Sequence, residues 1–316
     1  MVLLAMEIPT AAYVESPVSA HGPKGPLSGT LLMPENASPP IVLIVPGSGP
    51  TDRDGNGPLG LNASTYKLLA EGLAARGIAT VRIDKRGMFG SVDAVSDPND
   101  VTAQDYATDI NSWVRIIRQL GSDSACIWVL GHSEGGLMAL LAGQDPNTQT
   151  CGLILVASTG RPLGDLLRDQ LEPQLAGTPL LNQAMSAIEA LEAGQHVDAS
   201  DIDPALQPLL NPSVQDFLIS TLALDPAELI GGISQPVLIL QGDCDLQISV
   251  EDAKRLKAAA PASTMVLLPQ TNHVLKEVPP TDRAANIATY GDPDLPLAPG
   301  VIEAIADFVF STNLED

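Results

Sequence analysis

One stretch of the sequence constrains the fold more than any other. Residues 127–130 form a short apolar run rich in β-forming side chains, and a Gly-x-Ser-x-Gly turn, Gly131 to Gly135, follows at once. The next apolar run, 137–142, is rich in Ala and Leu and predicts a buried helix. A strand, a sharp turn and a helix in this order are the context in which the motif carries a nucleophilic serine.

The glycines of this turn have a steric explanation. A turn this tight would bring a side chain at Gly131 or Gly135 into neighbouring backbone, and only glycine avoids that collision. Ser133 at the apex is then exposed at the end of the strand, and the N–H groups of the following helix point towards it. The alternative is a glycine-rich strand-to-helix turn with a serine that has no chemical role. Because aspartates and a histidine lie further along the chain, we favour the interpretation of Ser133 as a nucleophile.

The rest of the chain alternates between strand and helix patterns. Two weak strand patterns, 11–14 and 27–32, are joined by a Pro- and Gly-rich link that predicts a turn or loop. Further strands are predicted at 41–45, 78–84, 127–130, 152–157, 237–240 and 264–268, and helices at 65–76, 102–120, 250–260 and 299–310. This alternation predicts an α/β protein with a mostly parallel sheet and helices on both faces.

The alternation is interrupted between residues 160 and 232. This stretch is helical but divided by repeated prolines, and it carries apolar stripes such as Leu180, Met185, Ile188 and Leu191. We interpret it as a helical insertion in a core domain made of 1–159 and 233–316. The alternative is an oversized crossover connection between two strands.

Charge limits the kind of partner. The 316 residues include 38 acidic and 16 basic ones, for a formal net charge of −22. Such a surface repels nucleic acids and anionic membranes, so we expect neither as a partner. We expect a small-molecule substrate and a monomer or small homo-oligomer. An ordinary acidic surface explains the charge, and adaptation to a salty habitat is the alternative.

The expected location is cytoplasmic. No apolar run is long enough to cross a membrane, and residues 1–6 lack the basic start and long apolar centre of a signal peptide. The sequence has three cysteines, Cys126, Cys151 and Cys244, which is an odd number, and they are widely spaced. This pattern predicts neither a disulfide framework nor a zinc site. Cys126 and Cys151 lie at the starts of apolar runs, and we interpret them as small core residues.

A serine hydroxyl needs a base to take its proton, and four histidines are available. His21 lies in the N-terminal Pro- and Gly-rich link, His132 is bonded to Ser133 and should point away from it, and His196 lies in the helical insertion. His273 follows a predicted strand, at the edge where the active groups of parallel sheets gather. We therefore assign the base to His273.

The imidazole in turn needs a carboxylate that fixes its tautomer and stabilises its cation. Asp243 and Asp245 both follow the strand at 237–240, and position alone does not separate them. The developing oxyanion needs backbone donors. The N–H of Glu134, directly after the nucleophile, is one, and the loop 47–49 offers another because its glycines let N–H groups face inward. The alternative for that loop is an ordinary glycine turn.

At these residues the sequence resembles the α/β-hydrolase superfamily, specifically its bacterial serine esterases and serine-aminopeptidase-like hydrolases. The resemblance runs from about residue 41 to the C-terminus. It rests on four segments: the Gly-His-Ser-Glu-Gly-Gly elbow at 131–136, an Asp-x-Arg-Gly-x-Gly-x-Ser-like segment at 84–91 that is offset at Phe89-Gly90, a Gly-x-x-Asp acid loop at 241–245, and the Thr-Asn-His loop at 271–273.

The resemblance implies an α/β-hydrolase fold and several residue roles. Asp245, rather than Asp243, matches the orienting acid of the family. Pro46-Gly47-Ser48 lies where the family often has His-Gly-x, so Ser48 takes the second oxyanion role although Pro46 replaces the histidine. The segment 160–232 corresponds to a helical cap over the site.

The predicted function is a serine carboxylesterase that hydrolyses small to medium acyl esters through an acyl-enzyme. Ser133 is the nucleophile, His273 the base and Asp245 the orienting acid, and the N–H groups of Ser48 and Glu134 bind the oxyanion. No metal or organic cofactor is expected.

Two other functions stay open. A peptidase or amidase would use the same triad, with an acidic anchor from Glu189, Glu192 or Asp198 for a free amino terminus. A non-catalytic hydrolase-fold binding protein is the second, and the complete triad argues against it. Arg53 and Asp54 are expected to pair with each other at the surface rather than line the substrate pocket.

Overall fold

The computed structural model describes residues 13–35, 38–120 and 126–312. Within these residues, an eight-stranded sheet has the order β1-β2-β4-β3-β5-β6-β7-β8. The strands are β1 (Tyr13–His21), β2 (Pro26–Pro34), β3 (Ile41–Val45), β4 (Ala79–Ile83), β5 (Ile127–His132), β6 (Gly152–Val156), β7 (Val237–Gly242) and β8 (Thr264–Leu268). The pairs β1–β2 and β2–β4 are antiparallel and the other pairs are parallel. The predicted α/β class with a mostly parallel sheet is confirmed.

Helices cover both faces of this sheet. The α-helices of the described residues are α1 (Thr65–Ala75), α2 (Ala103–Leu120), α3 (Glu134–Ala142), α4 (Leu163–Leu175), α5 (Pro179–Glu192), α6 (Gln207–Leu210), α7 (Gln215–Leu222), α8 (Pro226–Gly231), α9 (Val250–Ala259), α10 (Arg283–Ala288) and α11 (Val301–Thr312). Helices α2, α3 and α9 pack on one face, and α1 and α11 pack on the other. Across the described ranges, no helix has both the length and the apolar character that a membrane crossing requires.

Strand β3 shows why the central strands are apolar throughout. Ile41, Leu43 and Val45 belong to the core on one face of the sheet, and Val42 and Ile44 belong to the core on the other. Side chains alternate between the two faces along a strand, so a strand covered by helices on both sides must be apolar at every position.

The N-terminal hairpin differs from its prediction. Strand β1 runs from Tyr13 to His21 and pairs in continuous register with β2, from Tyr13 opposite Pro34 to His21 opposite Pro26. The link predicted as a turn is therefore mostly strand, and His21 ends a strand. The reason is position in the sheet, because an edge strand tolerates a proline such as Pro17 that would interrupt a central one. Residues 11 and 12 of the predicted strand, and the opening residues 1–6, lie outside the described residues.

The segment between β6 and β7 contains helices α4 to α8. Helices α4 to α7 share an apolar cluster separate from the two sheet cores, with Ile188 fully buried in it. Helix α8 instead buries Ile230 among residues of the sheet core. The division into a core of 1–159 and 233–316 and an insertion of 160–232 stays a prediction.

Cys126 and Cys151 are joined by a disulfide, with their Cα atoms 5.6 Å apart. The expectation that they are separate small core residues is therefore wrong. They are 25 residues apart in sequence, and each directly precedes one of the neighbouring parallel strands β5 and β6. The register of those strands brings the two sulfurs together, which spacing in the sequence does not reveal. Cys244 carries a free thiol.

Truncation of Ile188 (Ile188→Ala) is expected to loosen α4 to α7 and leave the sheet intact. The side chain is fully buried in the cluster of these helices, and removing such a side chain costs about 2–5 kcal/mol. Amide hydrogen exchange should therefore accelerate in these helices and stay slow in β3 and β5. Leu43→Ala, in the centre of the sheet, is the matched control and should accelerate exchange in the sheet. Equal acceleration of both regions by Ile188→Ala would show that these helices do not open independently.

Candidate active site

The turn between β5 and α3 leaves no room for side chains at its glycines. A Cβ added at Gly131 would lie 2.2 Å from the carbonyl oxygen of Gly135, and one at Gly135 would lie 2.5 Å from the carbonyl oxygen of Val45. Ser133 between them has φ 55° and ψ −123°, a conformation that non-glycine residues rarely adopt. Such backbone strain persists only where the surrounding structure enforces it, and it clusters at functional sites.

His273 and Asp245 meet at the carboxyl edge of the sheet. Asp245 follows β7 and His273 follows β8, and His273 Nδ1 lies 2.8 Å from Asp245 Oδ2. The other carboxylate oxygen accepts the N–H groups of Gln247 at 2.7 Å and Ile248 at 3.0 Å. Burial acts to raise the pKa of Asp245, but the neighbouring His273 and these N–H groups outweigh it and hold the pKa below its usual range.

Asp243 has a different partner. Its Oδ1 accepts the backbone N–H of Gln270 at 2.6 Å. Because Gln270 opens the loop that leads to His273, Asp243 links the acid loop to the histidine loop through the backbone. Only Asp245, of the two aspartates that position alone left unresolved, contacts the imidazole.

His132, the residue before Ser133, brings the turn close to His273. The rings of His132 and His273 have their centroids 4.8 Å apart. Within the described ranges, no hydrogen bond joins Ser133 Oγ to the His273 ring. Hydrogen bonds at catalytic sites are often long or poorly aligned until substrate is bound, so the absence of this bond does not by itself exclude His273 as a base.

His132 belongs to a buried hydrogen-bond network. Its Nε2 lies 2.8 Å from the carbonyl oxygen of His273, and its Nδ1 lies 3.0 Å from the hydroxyl of Tyr66. A carbonyl only accepts, so these partners assign the ring proton to Nε2 and make Nδ1 an acceptor from Tyr66. Burial, reinforced by His273, lowers the pKa of His132 to about 3, and the ring is neutral at physiological pH.

The loop after β3 lies directly against Ser133. A Cβ added at Gly47 would be 3.3 Å from the Cβ of Ser133. The next residue, Ser48, is exposed, and Glu134 opens helix α3. In the part of the chain that the structure describes, no hydrogen bond occupies the N–H of Ser48 or of Glu134. The assignment of these two N–H groups to an oxyanion hole stays a prediction.

Two residues of the site were missed by reasoning from sequence. Tyr66 on α1 accepts the N–H of Gly47 at 2.9 Å, and Lys85 directs its Nζ to the carbonyl of Gly47 at 2.6 Å. Both side chains are buried. Lys85 had a signal, because a lysine two residues past a buried strand lies at the active edge. Tyr66, the second residue of the predicted helix 65–76, had none.

The expected pairing between Arg53 and Asp54 is wrong. The Nε of Arg53 donates to Asp84 Oδ2 at 3.0 Å, and its backbone N–H donates to Asp84 Oδ1 at 2.9 Å. Asp54 pairs with Arg82 instead. Asp84 and Arg82 are buried at the end of β4, and a buried charge needs a partner far more than a surface charge does.

Comparison with known proteins agrees with this architecture. A sequence model of the alpha/beta hydrolase family matches residues 42–289. The chain belongs to the alpha/beta hydrolase family. The resemblance seen in the sequence is thereby confirmed.

Individual relatives of this family member are distant. Esterase EstD of Thermotoga maritima is 27% identical over 243 residues, which is 76% of this chain and 54% of EstD, so the chain spans about half the length of that relative. The 2-(acetamidomethylene)succinate hydrolase of Mesorhizobium japonicum is 25% identical over 72% of this chain and 85% of its own.

Solved structures share the fold at low identity. The esterase PF2001 of Pyrococcus furiosus superimposes with a TM-score of 0.60 at 14% identity and covers 99% of this chain and 96% of its own. Est1E of Butyrivibrio proteoclasticus has a TM-score of 0.57 at 17% identity, with coverage of 95% and 99%. These likenesses establish the fold.

A cavity of about 660 Å³ opens next to the acid loop of this hydrolase-family chain. Leu246 and Gln247 border it from the acid loop, Gln170 and Gln174 from α4, and Arg283 from α10. Neither Ser133 nor His273 is among the described residues that line it. The cavity is large enough for a small organic molecule.

Acid is expected to destabilise the protein through His132. The ring has an ordinary pKa of 6.5 and a native pKa of about 3. Between these values the unfolded chain binds a proton that the native chain does not, so stability falls as the pH drops from 6.5 towards 3. A shift of this size corresponds to about 5 kcal/mol. Urea unfolding at pH 7, 5.5 and 4 measures the loss.

His132→Gln removes this titration and should flatten the decline in stability between pH 6.5 and 4. His196→Gln is the matched control, because His196 is exposed and lies 2.8 Å from the exposed carboxylate of Asp216. An equally steep decline in His132→Gln and the wild type would exclude His132 as the cause.

Proposed function

We propose that this protein is a serine carboxylesterase that hydrolyses small to medium acyl esters. The observation that carries the proposal is the 2.8 Å contact between His273 and Asp245, at the edge where Ser133 is held in a strained turn. A hydroxyl, an imidazole and a carboxylate in this order are the groups that nucleophilic acyl transfer needs.

Acylation follows from these groups. His273 Nε2 accepts the proton of Ser133 as Oγ bonds to the ester carbonyl carbon, and the carbonyl oxygen becomes an oxyanion. The N–H groups of Ser48 and Glu134 donate to that oxyanion, and Asp245 stabilises the imidazolium. The intermediate then expels the alcohol, which leaves with the proton from His273, and Ser133 keeps the acyl group.

Deacylation repeats the steps with water. His273 accepts a proton from water as the water oxygen attacks the acyl carbon, and the same two N–H groups hold the second oxyanion. Collapse of this intermediate breaks the bond to Ser133 Oγ, which takes the proton back from His273. The carboxylic acid leaves, and the enzyme returns to its starting state.

The substrate class is supported by the relatives. EstD and PF2001 are described as esterases. EstD is about twice the length that this chain matches, and the structural neighbours share the fold alone, so the esterase activity is a proposal for this chain.

A peptidase with the same triad is less well supported. It needs an unpaired acidic anchor for a free amino terminus, and the cap segment was expected to offer Glu189, Glu192 or Asp198. Glu192 is already bound by Arg168 through two hydrogen bonds of 2.7 and 2.5 Å. Glu189 and Asp198 are exposed to solvent. The two bonds on Glu192 favour the ester reaction.

The helices between β6 and β7 are proposed to cap the site. Gln170 of α4 donates to the carbonyl of Gln247 at 3.4 Å, two residues from Asp245. Arg161, just before α4, donates to Asp252 of α9 at 3.0 Å. These contacts tie the segment to the core at the edge where the proposed triad lies.

Ser133→Ala is expected to lower kcat on p-nitrophenyl acetate or butyrate by roughly 10⁴-fold or more, because the nucleophile is removed. Ser186→Ala, an exposed serine on α5, is the matched control and should keep full activity. Parallel assays on aminoacyl-p-nitroanilides test the amidase alternative, and hydrolysis of the anilides alone would overturn the ester assignment. A phosphonate probe should label Ser133, and an unlabelled Ser133 would indicate a binding protein.

Asp245→Asn should lower kcat by roughly 10³- to 10⁴-fold, because an amide favours the wrong tautomer of His273 and does not stabilise its cation. Asp243→Asn is the neighbouring control and should cost far less, since Asp243 contacts the backbone of Gln270 rather than the imidazole. Steady-state kinetics on the same ester measure both. The reverse ranking would move the orienting role to Asp243.

A further inference from the structure

Both polar backbone atoms of Gly47 are held by buried side chains. Its N–H donates to the hydroxyl of Tyr66 at 2.9 Å, and its carbonyl oxygen accepts from Lys85 Nζ at 2.6 Å. The exposed fractions of Tyr66 and Lys85 are 3% and 7%. Gly47 therefore has little rotational freedom, although glycine is the residue whose backbone is least constrained by its own side chain.

The peptide unit between Gly47 and Ser48 transmits this constraint. It is planar and trans, since the described residues contain no cis peptide bond. In a trans peptide the C=O of one residue and the N–H of the next point in opposite directions. By holding the carbonyl of Gly47 towards its buried ammonium, Lys85 fixes the N–H of Ser48 in the opposite direction, away from Lys85.

Lys85 is also tied to the second proposed donor. Its Nζ lies 3.8 Å from Glu134 Oε1, and Glu134 contributes the other oxyanion N–H. The same Nζ lies 5.7 Å from the centre of the Tyr106 ring. Burial lowers the pKa of Lys85 and raises that of Glu134, and the attraction between the two opposes both shifts. The ammonium of Lys85 thus has three neighbours, namely the carbonyl of Gly47, the carboxylate of Glu134 and the ring of Tyr106.

We propose that Lys85 is a positioning residue that orients the Ser48 N–H and so preorganises the oxyanion hole, with Tyr66 holding the other side of Gly47. This inference rests on the proposed esterase function. Donors fixed before the reaction stabilise charge that appears only in the transition state. Loss of Lys85 must therefore slow catalysis more than it weakens substrate binding.

Lys85→Met tests this role in the full-length protein. It keeps the length and packing of the side chain and removes the donor to Gly47. We expect kcat for p-nitrophenyl butyrate to fall roughly 10- to 100-fold, somewhat less than the loss of a whole oxyanion donor, with KM within about twofold of the wild type. Lys254→Met, in the exposed pair with Glu251, is the matched control and should leave both constants unchanged.

Two inhibitors separate the transition state from the ground state. Butylboronic acid adds to a serine hydroxyl and forms a tetrahedral anion, whereas butyramide stays planar and neutral. In Lys85→Met the affinity for the boronic acid should fall by the same factor as kcat, and the affinity for butyramide should not change. Equal losses for both inhibitors, or for neither, would overturn the positioning role.

A double variant separates hydrogen bonding from charge balance. If Lys85 served only to neutralise Glu134, then Lys85→Met combined with Glu134→Gln would restore kcat, and the proposal would be wrong. We expect the double variant to stay as slow as Lys85→Met, because the carbonyl of Gly47 remains unheld. Lys85→Arg retains a donor and should recover part of the lost rate.

Tyr66→Phe provides a second route should Lys85→Met fail to fold. It removes the acceptor of the Gly47 N–H and should show the same split between boronic acid and butyramide at a smaller amplitude. Absence of that split would contradict the proposal. Failure of the esterase proposal is distinguishable, because the wild type itself would then neither hydrolyse the ester nor react at Ser133 with the phosphonate.

Discussion

The close approach of β3 to the turn between β5 and α3 sets the geometry of the whole active edge. A Cβ at Gly135 would lie only 2.5 Å from the carbonyl of Val45 and 2.6 Å from that of Pro46. Backbone this close cannot shift on one side without shifting on the other, because protein interiors are as densely packed as organic crystals. The strained φ of Ser133 and the position of the loop at Gly47 are two consequences of this one contact.

Hydrogen bonds between buried polar groups also hold the loops of this edge together. Tyr66, His132 and Lys85 connect three loops that are far apart in sequence: the loop after β3, the elbow and the histidine loop. Each hydrogen bond is strong because little water competes with it, and each is necessary because an unpaired polar group in the interior is costly. The loops that carry the proposed triad are thus joined by a network of buried hydrogen bonds.

In the segment 84–91, which resembles a family motif, some residues hold the surrounding structure together and one contacts the loop at Gly47. Arg86 binds Asp109 at 2.6 Å and Asp105 at 2.8 Å and so fastens the segment to α2. Asp84 holds Arg53 and the N–H of Gly90. In a chain with a net charge of −22, the buried Arg86 and the half-buried Arg53 each pair with carboxylates in this segment or on α2. Lys85, between Asp84 and Arg86 in sequence, instead donates to the carbonyl of Gly47.

The sequence by itself determined the α/β class, most of the strands and helices, and the loops that carry Ser133, Asp245 and His273. These follow from local rules, namely apolar periodicity, the steric need for glycine, and the edge at which parallel strands end. Only the tertiary structure decided the disulfide between Cys126 and Cys151, the full length of β1, the partner of Arg53, and the network through Tyr66, His132 and Lys85. The physical reason is that strand register and helix packing choose the partner of a buried polar atom, and both bring together residues that no local pattern relates.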